Sequence, residues 1–211
     1  MWDWLKSPKT SANRHEPNNQ PAETNKMESS QDKVIVITGM SGSGRKNTAK
    51  QLSLLLGIPY VYPYTTRSIR PQERNGEHYH FISDGEFQAM LERKVFFQTV
   101  HLERGHYGIS EYELFKALEL RNVAIVVVNH DGVQAFRKKF GDAAIRIFLY
   151  VTKDDIRLRL EREAVPSGIV EEYLGNYTEQ VIYKKESEYL LQNLNPDTTL
   201  LKIKEFLQDK I

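Results

Sequence analysis

The segment Gly39-Met-Ser-Gly-Ser-Gly44 carries the residue types in this chain that most directly specify chemistry. Closely spaced glycines let consecutive backbone N–H groups curl around an oxyanion, and a helix starting directly behind them adds the positive end of its dipole. The apolar run Val34 to Thr38 precedes the segment and a helical stretch from about Arg45 to Leu56 follows it. That is the setting of a phosphate-binding P-loop, with Gly39, Ser41, Gly42, Ser43 and Gly44 as its loop residues. The motif continues with Lys and then Ser or Thr, whereas this chain continues Arg45, Lys46, Asn47. Arg45 keeps a positive charge but replaces a compact ammonium with a planar fork. Lys46 stands where a hydroxyl would ligate Mg²⁺, and an ammonium donates only and repels a divalent cation. Arg45 and Lys46 are therefore the candidate catalytic residues, with three readings open. The loop is a relic that shapes the turn, or a metal-free anion site in which Lys46 supplies part of the missing charge. The third reading is a one-residue slip, with Lys46 as the P-loop lysine and Thr48 as the hydroxyl. No metal-ligand set is expected. His78 and His80 share a face of a presumed strand but lack a third ligand at clear spacing.

These residues need a scaffold of alternating strands and helices. VIVIT (Val34 to Thr38), AIVVVN (Ala124 to Asn129) and IRIFLYV (Ile145 to Val151) read as buried parallel strands. Between and after them, helices are expected near Arg45 to Leu56, Gln134 to Phe140, Asp154 or Asp155 to Glu163, Ile169 to Leu191 and Asp197 to Asp209. Ser83 with Glu86, and Ser110 with Glu113, have the spacing of capping boxes and open two more. The fold class is α/β, a parallel-sheet core with helices on both faces.

Composition narrows the partners. Lys and Arg number 29 against 28 Asp and Glu, so a basic nucleic-acid-binding surface is not expected and any anion site must be local. With no cysteine, disulfides and thiolate metal sites are excluded, in keeping with a reducing compartment. The longest apolar run, Val123 to Val128, is too short to span a bilayer, and MWDWLKSPKT has no apolar signal core, so a cytoplasmic location is expected. Residues 1–32 form a predicted disordered tail, its segment from residue 5 onward rich in Pro, Asn, Ser and charge. Its tip carries Trp2, Trp4 and Leu5, which offers a route to a protein partner.

The block YTTRSIRPQERNGEHYHFIS (Tyr64 to Ser83), followed by EF and then GHYG, closely resembles the acceptor-nucleotide lobe of guanylate kinases. The shared signature is TTR-x-x-R-x-x-E-x-x-G-x-x-Y-x-F with a later YG. Together with GMSGSG, the resemblance runs from about Lys33 to Lys210. It implies a P-loop core over 33–211, an inserted GMP-binding lobe over 60–110 and a short lid at about 159–170. It further implies a phosphate clamp of Arg67, Arg70, Tyr79 and Tyr107, with Glu73 beside it to orient an arginine. Two guanidinium forks and two phenols suit a phosphate dianion.

The same resemblance locates departures. The family's acidic guanine reader falls at Gln98, and its two serine readers at Pro63 and Ile109. Its two aspartates near the end of the second core strand fall at Val127 and Asn129, with Asp131 just beyond, in a turn, as a helix cap or as a substitute carboxylate. A lid arginine falls at Glu163 and a later helix arginine at Tyr173, leaving Arg159 and Arg162 as the nearby lid cations. Two functions follow. The first is a pseudokinase that binds a nucleotide or phosphorylated ligand through the clamp. The second is a divergent kinase converting GMP and ATP to GDP and ADP, which alone would call for ATP and Mg²⁺.

Overall fold

The computed structural model describes residues 32–211, so the expected tail through residue 31 and its Trp tip lie outside the described residues. The core is a four-stranded parallel sheet of β1 (Lys33–Gly39), β6 (Val123–Val127), β7 (Ala144–Tyr150) and β8 (Tyr189–Gln192), in the order β6-β1-β7-β8. Residues 59–61 extend it beyond β6, where Val61 N–H donates to Ile125 O at 2.9 Å. β1 is central, and its side chains alternate between two apolar layers. Val34 and Val36 pack with α3 (Glu111–Arg121) and α4 (His130–Phe140) through Leu118 and Phe136. Ile35 and Ile37 pack with α1 (Arg45–Leu56) and α8 (Pro196–Leu207) through Leu52 and Ile203. Burial on both faces is why these strands read as continuous apolar runs. Each large aliphatic side chain so placed contributes about 1.5–3 kcal/mol.

The lobe over residues 64–110 is a second, mixed sheet in the order β3-β2-β5-β4. Its strands are β2 (Tyr64–Thr65), β3 (His80–Phe81), β4 (Phe96–Leu102) and β5 (Gly105–Ser110), and α2 (Asp84–Glu92) packs with them. Ser83 and Glu86 form the expected reciprocal cap of α2. Ser110 caps α3 by accepting from Glu113 N–H, but Glu113 does not complete the box. Its Oε1 is taken instead by Tyr64 Oη at 3.1 Å, a tertiary partner that outcompetes the local one.

Three expectations need correction. α4 starts at His130 because Asn129, not Asp131, is its cap, accepting from Gly132 N–H at 3.1 Å. α5 (Lys153–Arg162) is capped by Thr152, which exchanges bonds with Asp155. The single helix expected over Ile169 to Leu191 is three pieces and a strand: α6 (Ser167–Gly175), α7 (Tyr177–Val181), a 3₁₀ turn (Ile182–Glu186) and β8. Gly175 and Asn176 interrupt the helix. Tyr189–Gln192 is drawn into the sheet edge by parallel pairing with Ile147–Tyr150. Among the described residues, no helix is long and apolar enough to cross a membrane.

Candidate functional site

The loop Gly39–Gly44 lies at the C-terminal end of the central strand β1, and α1 begins directly behind it at Arg45 with Gly44 as cap. Thr48 is buried at 2% exposure, with its hydroxyl 3.5 Å from Asn193 Nδ2. Asn193 follows β8 and also donates to Ser43 O at 2.8 Å. Thr48 therefore faces Asn193 and the sheet edge behind the loop.

Lys46 points the other way, into the cleft between core and lobe. Its Nζ lies 3.4 Å from Glu73 Oε1 and 4.5 Å from the centre of the Tyr79 ring. Glu73 at the same time accepts two bonds from Arg67, at 2.7 Å from Nη1 and 2.6 Å from Nη2, and one from Arg70 N–H at 3.1 Å. The Arg67 guanidinium lies 4.9 Å from the Tyr79 ring, and the Tyr79 and Tyr107 rings are 5.9 Å apart. Arg67, Arg70, Glu73, Tyr79 and Tyr107 thus gather around Lys46. They come from the segment between β2 and β3 and from within β5, which the mixed sheet brings side by side.

Arg45 donates to Val128 O at 3.3 Å. Burial lowers its affinity for its proton, partly offset by the phenols of Tyr79, Tyr173 and Tyr60 around it. Burial likewise lowers Lys46, against the pull of Glu73. At Glu73 burial opposes the charge, but the Arg67 bonds and the Lys46 ammonium outweigh it and hold the carboxyl down to about 2. Tyr79 and Tyr107 are both raised, chiefly by burial.

Three further residues close the cleft. Arg70 Nη2 is 3.2 Å from Tyr173 Oη on α6. Arg104, in the β4–β5 turn, makes a short ion pair with Glu172 and lies 5.1 Å from the Tyr173 ring. Five cationic side chains, Arg45, Lys46, Arg67, Arg70 and Arg104, thus meet the carboxylates of Glu73 and Glu172, an excess that favours an anionic ligand. Sequence reasoning noted Tyr173 only as a lost arginine and missed Arg104, whose signal was a charge two residues before His106-Tyr107-Gly108.

Other expected site residues stand apart. Gln98 on β4 pairs with Ile109, and its amide donates to Thr99 O at 2.9 Å. Ile109 is buried in the core at 1% exposure, and Pro63 is buried too. Arg159 binds the carbonyls of Asn193 and Leu194 beside Gly44, and Arg162 is exposed. Neither of these two expected lid cations is directed at the Lys46–Glu73–Arg67 cluster. His78 Nδ1 accepts from Arg74 N–H at 3.2 Å while His80 Nε2 faces Glu113 at 3.5 Å, so the pair does not converge on one ion.

A parallel-sheet core with a glycine loop after its central strand, and a cation-rich lobe facing that loop, is the architecture of P-loop kinases. The family model described as Guanylate kinase matches residues 31–210. A guanylate kinase of Helicobacter hepaticus is 31% identical over 174 residues, covering 80% of this chain and 85% of that protein. One from Campylobacter jejuni (strain RM1221) is 29% identical over 164 residues, covering 76% and 80%. The crystal structure of guanylate kinase from Anaplasma phagocytophilum superposes with a TM-score of 0.70 at 19% identity, covering 85% of this chain and 87% of that one, a likeness of fold. The chain belongs to the guanylate kinase family.

Proposed function

We propose that this protein binds a phosphate monoester of the GMP type through Arg67, Arg70, Tyr79 and Tyr107 and acts as a sensor or scaffold without transferring a phosphoryl group. The observation that carries the reading is the position of Lys46. Phosphoryl transfer in this class of site uses a metal ion held by a P-loop hydroxyl. Here that position carries an ammonium directed at Glu73, and the end of β6 offers Val127 and Asn129 where carboxylates are expected. The donor set does not fit Mg²⁺. The clamp supports phosphate binding without one, since its cations exceed its carboxylates and its phenols, kept neutral by burial, remain donors. Guanine readout has less support, with buried Pro63 and Ile109 at two reader positions and Gln98 turned to its own strand.

Thermal unfolding with added ligands tests the reading. GMP or inorganic phosphate raises the melting temperature and ATP with Mg²⁺ does not. Arg70→Ala removes the GMP shift. It is a cleaner probe than Arg67→Ala, which strips the buried Glu73 carboxylate of its bidentate partner and leaves Lys46 as its one cation. A shift unchanged in Arg70→Ala contradicts the clamp assignment.

The second reading, a working kinase that makes GDP and ADP from GMP and ATP, is favoured by the name Guanylate kinase borne by relatives of which this chain covers 80% and 85%. It requires Arg45 to serve as the P-loop cation and a lid arginine to reach the cleft. A cytoplasmic location is in keeping with either reading.

A further inference from the structure

Gln180 on α7 is separated from the P-loop by 139 positions, yet its carboxamide is seated on it. Its Oε1 accepts from Ser41 N–H at 2.7 Å and its Nε2 donates to Ser41 Oγ at 3.1 Å, so both ends of the amide are used. In a P-loop such an N–H is directed at a ligand oxyanion. Here it is satisfied by a neutral acceptor from the same chain. The seat is held from both sides. On one side the loop touches α5 and α6: a Cβ on Gly42, which has φ +78°, would stand 2.9 Å from Ile156 Cγ2 and in ordinary contact, 3.5 Å, with the Tyr173 ring. Beyond α7, the Tyr183 ring stacks on His130 of α4 at 3.7 Å between centres. The α6–α7 segment is thereby fixed across the mouth of the loop, with Gln180 directed inward.

We infer that Gln180 is a specificity-determining residue, a built-in occupant of the P-loop that competes with the phosphates of a nucleoside di- or triphosphate. A ligand oxyanion gains a charge-assisted bond from Ser41 N–H only by releasing both amide bonds. The clamp makes no bond to Gln180, so a nucleoside monophosphate there escapes the competition. The inference rests on the reading of loop and clamp as phosphate sites.

Calorimetric titration of the full chain with magnesium-free ADP, and separately with GMP, tests it in wild type, Gln180→Ala and Gln180→Glu. Gln180→Ala is expected to bind ADP about tenfold more tightly than wild type, the worth of two modest hydrogen bonds. Gln180→Glu is expected to bind ADP more weakly, since its carboxylate keeps the Ser41 N–H and repels phosphate. GMP affinity stays the same in all three. Equal ADP affinity in wild type and Gln180→Ala, or weaker binding in both variants as a folding defect would give, overturns the proposal. Loss of GMP binding throughout, with the ADP order intact, removes the clamp reading and leaves the role of Gln180 standing.

Discussion

The Lys46 ammonium reaches 3.4 Å from the Glu73 carboxylate across the cleft, joining the first turn of the P-loop helix to the lobe over residues 64–110. Glu73 is shared, and its two partners are unequal. Its pair with Arg67 is bidentate between side chains 6% and 8% exposed, whereas the Lys46 side chain is 37% exposed. Arg67–Glu73 is therefore the structural pair. Lys46 is the replaceable partner, free to turn toward a ligand.

A double-mutant cycle over Lys46→Met and Glu73→Gln should return a small coupling in urea unfolding, about 0.5 kcal/mol, because the lysine side chain, 37% exposed, is screened by solvent. Lys46→Ser should also make ATP binding magnesium-dependent by returning a hydroxyl to the motif position. Identical ATP binding with and without Mg²⁺ in that variant would contradict the account of the lost metal site.

Acid should weaken the lobe through Glu73. Its folded value, about 2, lies below the ordinary 4.5, so its contribution is complete above 4.5 and is lost as pH falls through about 2. Unfolding free energies measured across that window should fall more steeply in wild type than in Glu73→Gln. Parallel slopes would show that the carboxylate is not held down by its cations.

Tyr173 should ionise ahead of the other buried phenols. Burial raises it, but the Arg70 bond and the charges of Arg70, Arg104 and Lys46 outweigh burial and lower it, while Tyr60, Tyr79 and Tyr107 are raised. An ultraviolet titration should show an early phenolate step that Tyr173→Phe removes. Because the folded value is depressed, the stability gap between wild type and Tyr173→Phe should widen as pH rises through that step. At neutral pH the variant should lose about 1 kcal/mol, one hydrogen bond. A titration identical in the two proteins would contradict the Arg70–Tyr173 contact.

Gly39→Ala should unfold the core more than any change in the clamp. Gly39 has φ +135°, and a Cβ there would stand 2.0 Å from Leu149 O, the register partner's carbonyl that accepts from Met40 N–H at 3.1 Å. The expected cost is roughly 3 kcal/mol or more, read as a lowered denaturation midpoint. A midpoint near that of wild type would contradict the close strand approach.

The elements legible in the sequence were those fixed locally. The limits of α1, the reciprocal cap at Ser83 and the two-sided apolar strands follow from short-range residue patterns. β8 was not legible, because Tyr189–Gln192 becomes a strand only by pairing with β7, some forty residues earlier in the chain. The expected clamp residues could be named from the family resemblance, but the direction of Lys46 could not, since Glu73 and Tyr79 reach it only after the lobe folds over the core. Tyr173 and Gln180 lie on a segment whose break at Gly175 decides where they point. The lid arginines show the same limit: their charge was readable, and their engagement with the carbonyls after β8 was not.

The most direct test of the central claim is a coupled assay for ADP formed from ATP, Mg²⁺ and GMP, run on protein shown to bind GMP. The account predicts ADP at the rate of the protein-free control while GMP binding persists. Sustained GMP-dependent turnover, even about one per second, the low end of ordinary enzyme rates, would contradict it.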